Sequence, residues 1–300
     1  MKKLILSAFF ALLGISLMAQ APVNIKLNLE KGKMYTVKNI SKQTMQIDAG
    51  GQQFNMDIST SSVVSYKVLK QENDVMDIEL KFDTIASKTT SPMGNKETNS
   101  AKPAGNDPLE KIMNKFSNNK IIAKISTSGK FVEFVNYGKF KDNVLFVLDS
   151  IPATKRDQAK GMADALLQES AIRTLVEPLF AYLPEKAVKI GDTWETTYSL
   201  TSNNVSMLSL NTFTLKGVEK NVATISGKSE IESLPSTDPN AQMVQALKGT
   251  MTSDGTLDLK TGQVLKNTSK GNIEGTMTMK SNNAEMKIKL DSQSETFMLK

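Results

Sequence analysis

Over most of this chain, apolar residues recur at every second position. Ile25, Leu27 and Leu29 alternate with polar neighbours, as do Phe54, Met56 and Ile58, then Val64, Tyr66 and Val68, then Met76, Ile78, Leu80 and Phe82. The rhythm returns at Leu208 and Leu210, Phe213 and Leu215, Leu257 and Leu259, Met277 and Met279, and Met286, Ile288 and Leu290. Period two places one apolar and one polar face on each extended segment, which suits an antiparallel sheet with one side wet. The unbroken Val/Ile runs of a buried parallel sheet are missing. Turn residues fall between the segments, at Asp48-Ala49-Gly50-Gly51, Ser128-Gly129-Lys130, Asp254-Gly255 and Lys260-Thr261-Gly262, with weaker signals at Glu219-Lys220-Asn221 and Ser281-Asn282-Asn283. The predicted architecture is a meander of long strands.

Two stretches depart from this rhythm. Residues 87–108 are polar, with three prolines and two glycines, and read as a disordered loop. A short helix should follow from Pro108 to Phe116, capped by Asp107. From about residue 139 to 184 the period becomes helical. Ile172, Leu175, Val176, Leu179, Phe180 and Leu183 form a continuous apolar stripe, and Pro178 inside it predicts a kink or restart. The organisation expected is a leader over 1–19, a first β-rich half over 20–138, central helices over 139–184 and a second β-rich half over 185–300. The fold class expected is α+β, mainly antiparallel β: a curved, half-barrel-like meander with the helical segment packed on its apolar face.

The leader rests on Lys2 and Lys3, an apolar run over 4–13 and Ala19 at a cleavage position, the pattern of a secretory signal peptide. It predicts an exported protein, periplasmic or at the cell surface. The apolar run is shorter than the ~20 residues of a spanning helix. Without Lys2 and Lys3 the formal net charge falls from +6 to +4, and the lysines are not interleaved with aromatics, so no nucleic-acid partner is expected.

The halves echo each other. Gly32-Lys33-Met34-Tyr35 resembles Gly191-Asp192-Thr193-Trp194, residues 65–69 resemble 212–216, and 126–131 resemble 251–257.

The chain has no His and no Cys, which excludes Ser–His and Cys–His nucleophilic pairs, His/Cys metal sites and disulfides. Ser117-x-x-Lys120, Ser202-x-Asn204 and Lys260-Thr261-Gly262 occur in the order used by serine β-lactamases, but Ser117 ends a predicted helix instead of starting one. Phosphate-loop and calcium-loop spacings are absent from the sequence. No catalytic residue, metal or cofactor is therefore assigned. The methionines on strand faces suit either core filling or an adaptable apolar surface. Held together with the helix stripe, they suggest a hydrophobic small molecule or lipid bound between sheet and helices by Ile172, Leu175, Val176, Leu179, Phe180, Leu183, Met277 and Met279. The alternative is a structural or interaction module of the envelope with a filled core. The sequence names no protein partner.

One string is distinctive: Pro184, Lys186, Val188, Gly191, Asp192 and Trp194, at the helix-to-strand junction. It resembles the junction of an uncharacterised family of exported Bacteroidetes proteins, domain of unknown function 6263. The resemblance implies a β-rich half on either side of central helices and no transferable functional residue. By analogy the fold is similar to that of periplasmic lipoprotein carriers.

Overall fold

The alternating segments pair in sequence order, each with its neighbour, as short polar turns require. In the computed structural model the described residues are 21–202, 205–235 and 243–299. The leader predicted over 1–19 lies outside them. Twelve strands are assigned: β1 (Tyr35–Ala49), β2 (Gln52–Glu72), β3 (Val75–Ser91), β4 (Gly94–Asn99), β5 (Lys120–Ser126), β6 (Phe131–Phe134), β7 (Thr193–Ser202), β8 (Val205–Glu219), β9 (Val222–Ser233), β10 (Met243–Asp258), β11 (Val264–Met279) and β12 (Ala284–Leu299). They form one sheet in the order β6-β5-β3-β2-β1-β12-β11-β10-β9-β8-β7, with β4 on the far part of β3. Every strand pairing is antiparallel. β1 and β12, at opposite ends of the chain, join the halves from Thr36↔Leu299 to Ala49↔Met286.

Four α-helices lie on one face: α1 (Pro108–Ser117), α2 (Tyr137–Leu145), α3 (Ala153–Leu166) and α4 (Glu169–Val176). The side chain of Asp107 caps α1 by accepting from the amides of Leu109 and Glu110. Pro178 cannot donate an amide, and α4 stops at Val176, giving way to a 3-10 turn over Glu177–Leu179. The core fills the space between the helices and the near ends of the strands, with Phe82, Phe116, Phe140 and Phe180 fully buried. Phe116 stands between Phe82 and Phe140, its ring centre 5.2 Å from each.

The structure redraws three features expected from composition. The stretch read as a disordered loop over 87–108 continues β3 to Ser91 and turns back as β4. Its polar side chains belong in a hairpin exposed on both faces, which needs no apolar alternation. Asp254-Gly255, read as a turn, lies inside β10, where Gly255 faces Asn267 of β11. The segment with Ile25, Leu27 and Leu29 is buried but is not a sheet strand. It crosses the base of the fold, with Leu27 N–H donating to Thr127 O (2.7 Å) and Asn28 N–H to Thr261 O (3.0 Å), and so ties the two halves together.

The internal echo has a structural counterpart. Gly32 N–H donates to Val68 O at 2.9 Å, and Gly191 N–H donates to Leu215 O at 2.8 Å. Tyr35 stacks on Tyr66 (6.0 Å) as Trp194 stacks on Phe213 (5.8 Å). The counterpart of the Ser126–Lys130 turn is the Asp258–Gln263 turn, not residues 251–257. In each, the first residue's amide donates to the last residue's carbonyl at 2.9 Å.

Two charge clusters support particular elements. Glu177 is 5% exposed and takes a bidentate hydrogen bond from Arg173 at 2.7 and 3.0 Å, while that guanidinium lies 4.8 Å from the Phe131 ring centre. Arg173→Ala leaves a buried carboxylate alone. The expected loss is about 2–3 kcal/mol, less than for a wholly buried pair because Arg173 is half-exposed. Adding Glu177→Gln should recover most of it in urea unfolding. Glu79 accepts from Lys120 at 2.9 Å and faces Lys67 at 3.4 Å. Burial pushes its carboxyl up, but the two ammonium groups outweigh burial and hold it below the ordinary 4.5. A carboxyl lowered in the folded state adds stability above its unfolded value, and that stability is lost as pH falls through the folded one. The melting-temperature gap between wild type and Glu79→Gln should therefore be open at neutral pH and close below 4.5.

Candidate functional site

The face of the sheet that carries the helices is longer than the helices cover. Beyond the core its side chains sort by row, because directly opposed residues in antiparallel strands point to the same side. One row reads Ser87, Thr60, Ser41, Ser294, Ser269 and Ser253 across β3, β2, β1, β12, β11 and β10. At ~4.8 Å per strand this hydroxyl row runs roughly 24 Å. The Ser269 and Ser294 hydroxyls are hydrogen-bonded at 2.7 Å. The row nearer the helices brings Ser62, Asn39, Thr296 and Asn267, with Asn39 donating to Thr296 at 2.8 Å. The next row outward brings Gln43, Ser292, Ser229 and Asn211. Beyond it, the face turns apolar: Met56, Met45, Leu290 and Ile273 share a row, Phe54, Ile47 and Ile288 the next, and Met286 and Met277 the one after.

Among the described residues, no Lys, Arg, Asp or Glu points to this face from β1–β3 or β7–β12. Lys96 of β4, opposite Thr89, is on this face, but the charges of these strands are on the other side. There Lys88, Lys42 and Lys270 share one row, and Asp57 and Asp291 the adjacent one, lining an open trough of about 930 Å³ together with Lys289.

The sheet bends toward the uncharged face where β10 and β11 carry glycines pointing inward. A β-carbon at Gly271 would overlap the Thr250 carbonyl oxygen, and one at Gly249 would overlap the Asn272 carbonyl oxygen. Backbones can coil this tightly only without side chains on the concave side.

Where the bend meets the 3-10 turn, a crevice of about 250 Å³ remains. Pro178, Leu179 and Ala181 form its helical wall, and Asn39, Asn211, Asn267, Ser229, Ser253, Ser269 and Ser294 are on its sheet side. Asn211 is 2% exposed and organises the polar wall: its Oδ1 accepts from Ser209 (3.0 Å) and Ser229 (2.7 Å), and its amide donates to Thr196 O (3.2 Å). Tyr66, Tyr182 and Tyr198 also border the crevice, and burial pushes all three phenols above the ordinary value, so they stay protonated. Tyr182 donates to Gly262 O at 3.1 Å, and Tyr66 accepts from Gln263 at 2.8 Å.

Of the residues expected to hold a ligand, Leu179 alone lines this crevice. Ile172, Val176, Phe180 and Leu183 are buried in the core, and Leu175 is 39% exposed. Met277 and Met279 stand at the far end of β11, beside Met286 and Met243, and not beside the helix stripe. The polar rows were missed in the sequence because a Ser or Thr at a strand's inward position looks like a break in alternation. Only the register reveals that the breaks line up. The β-lactamase-like set is not assembled: Ser117 is buried at the end of α1, Lys120 is bound to Glu79, and Lys260-Thr261-Gly262 is a hairpin turn. Asn204 lies outside the described residues. Among the described residues no cluster of acids suits a metal ion, and no helix is long and apolar enough to cross a membrane.

Similarity to solved structures is slight. An outer membrane channel of Pseudomonas putida F1 aligns with 9% identity over 91% of this chain and 97% of its own, at a TM-score of 0.25. A domain described as an outer membrane lipoprotein-sorting protein of Vibrio parahaemolyticus aligns with 9% identity over 85% and 83%, at 0.13. A DUF1329 family protein of Desulfovibrio piger aligns with 11% identity over 84% and 83%, at 0.12. Superpositions at these scores decide nothing about this chain. No curated protein matches the sequence significantly. A family match does cover residues 73–264, from the β2–β3 turn through the central helices to the start of β11, and includes the Pro184–Trp194 junction. The chain therefore belongs to DUF6263, a family of unknown function.

Proposed function

We propose that this protein is an exported, non-catalytic binding protein that holds a hydrophobic ligand on the uncharged face of its curved sheet. The observation that carries this reading is the crevice under the 3-10 turn, from which polar rows lead out to an apolar band that the helices leave uncovered. At about 250 Å³ the crevice is below the ~300 Å³ typical of the smallest ligand pockets. It suits one end of a ligand, with the remainder lying along the sheet. Burial of apolar surface there is worth ~25 cal/mol per Å². The polar side chains around the crevice are amides, hydroxyls and protonated phenols, which hydrogen-bond but provide neither a nucleophile–base pair nor a carboxylate pair.

The close packing of Ile172, Val176, Phe180 and Leu183 favours a second reading, an envelope module whose helices only complete the core. Uptake of an apolar dye separates the two. Delipidated protein should bind N-phenyl-1-naphthylamine saturably, and solvent extraction of protein purified from its native envelope should release a lipid. Protein that takes up no dye overturns the binding reading.

A further inference from the structure

We propose that the ligand is a single-chain lipid with an uncharged, hydroxylated head, held with its head on the hydroxyl row and its chain on the apolar band. This rests on the binding reading above and names the chemistry of that site. Charge selects the head. Described side chains on this face of β1–β3 and β7–β12 include no ionisable carboxylate, ammonium or guanidinium, whereas the opposite face carries them row after row. An ionic head drawn onto the hydroxyl row would lose hydration and meet no counter-charge on the strands that carry it; Lys96 of β4, on the same side, is three strands from Ser41. A polyol head loses water too, but every hydroxyl it carries can find a replacement partner. Ser41, Thr60, Ser253, Ser269, Ser294 and Thr296 present hydroxyls at strand spacing, and the Ser269–Ser294 pair, bonded to each other at 2.7 Å, still has one donor and further acceptor capacity to give.

The order of the rows sets the orientation. The amide and hydroxyl rows border the crevice, and the apolar rows begin further out, at Met45, Met56, Leu290 and Ile273. Four apolar rows, from Met45 out to Met279, at ~6.8 Å per two residues give a band roughly 20 Å long, which accommodates an extended acyl chain. Methionine there adapts to a flexible chain. A wholly apolar ligand would leave the hydroxyl row desolvated and unpaired wherever it lay across it.

The test compares heads on one chain length. Monopalmitoylglycerol, palmitate and hexadecyltrimethylammonium, each below its critical micelle concentration at about pH 8, where a carboxylate is ionised, compete with N-phenyl-1-naphthylamine. Monopalmitoylglycerol should displace the dye at least about tenfold more tightly than either ionic probe. The double variant Ser269→Ala/Ser294→Ala should weaken monopalmitoylglycerol by about tenfold relative to the dye measured on the same variant, the loss of two hydrogen bonds, while circular dichroism stays as in the wild type. Equal affinity for the three heads, or unchanged monopalmitoylglycerol affinity in the double variant, overturns the head-group assignment and leaves the binding reading intact. Failure of the wild type to take up dye removes the binding reading itself.

Discussion

Phe180→Ala should destabilise the protein by about 3–5 kcal/mol, the cost of emptying a filled aromatic site that cannot collapse. Phe180 is 0% exposed and meets Tyr66 edge-on, ring centres 5.3 Å apart. It follows directly on the 3-10 turn, so its ring is what holds the helical wall of the crevice down on β2. Tyr66 in turn accepts from Gln263 in the β10–β11 turn, so one ring joins the helices to both halves of the sheet. Urea unfolding is the measurement: the midpoint should fall while the slope stays near the wild-type value, because the surface exposed on unfolding barely changes. A loss under about 1 kcal/mol would mean that the site relaxes freely and that the helices are not anchored there.

Gly271→Ala should be nearly as damaging, although it adds one methyl group to a strand. The new carbon would overlap the Thr250 carbonyl oxygen and stand 2.7 Å from the Met251 Cα, both backbone positions that cannot swing aside. β10 and β11 would have to uncoil, at an expected cost of about 3 kcal/mol, the upper end for overpacking. Gly217, at the bulge in β8, provides the comparison. A β-carbon there meets nothing within 4 Å, so Gly217→Ala should change stability by no more than about 0.5 kcal/mol. Thermal unfolding of the two variants side by side separates a curvature effect from a general intolerance of change at strand glycines.

The main elements were legible because their signals are local. Alternation at Met76, Ile78, Leu80 and Phe82 identifies β3 whatever lies beside it, and Asp107 and Pro108 mark the start of α1 by their own backbone chemistry. Pro178 marks the end of α4 for the same reason. The hairpin of β3 and β4 was hidden because both of its faces are wet, and a strand without an apolar face leaves no periodic trace. Asp254-Gly255 misled for the opposite reason: the dipeptide suits a turn, but pairing with Ile225 on one side and Asn267 on the other keeps Gly255 in mid-strand.

Sequence alone determined that this chain is an antiparallel meander interrupted by helices, since the two-residue and 3.6-residue rhythms are properties of single segments. It could not place Leu179 at the crevice and Met277 far from it, nor align the inward hydroxyls of six strands into one row. Those facts depend on register, and register is set by pairing between residues as far apart as Ser41 and Ser294. The tertiary structure decided which face of β1–β3 and β7–β12 stays free of charge beyond the helices, because only assembled strands bring all their inward residues to the same side.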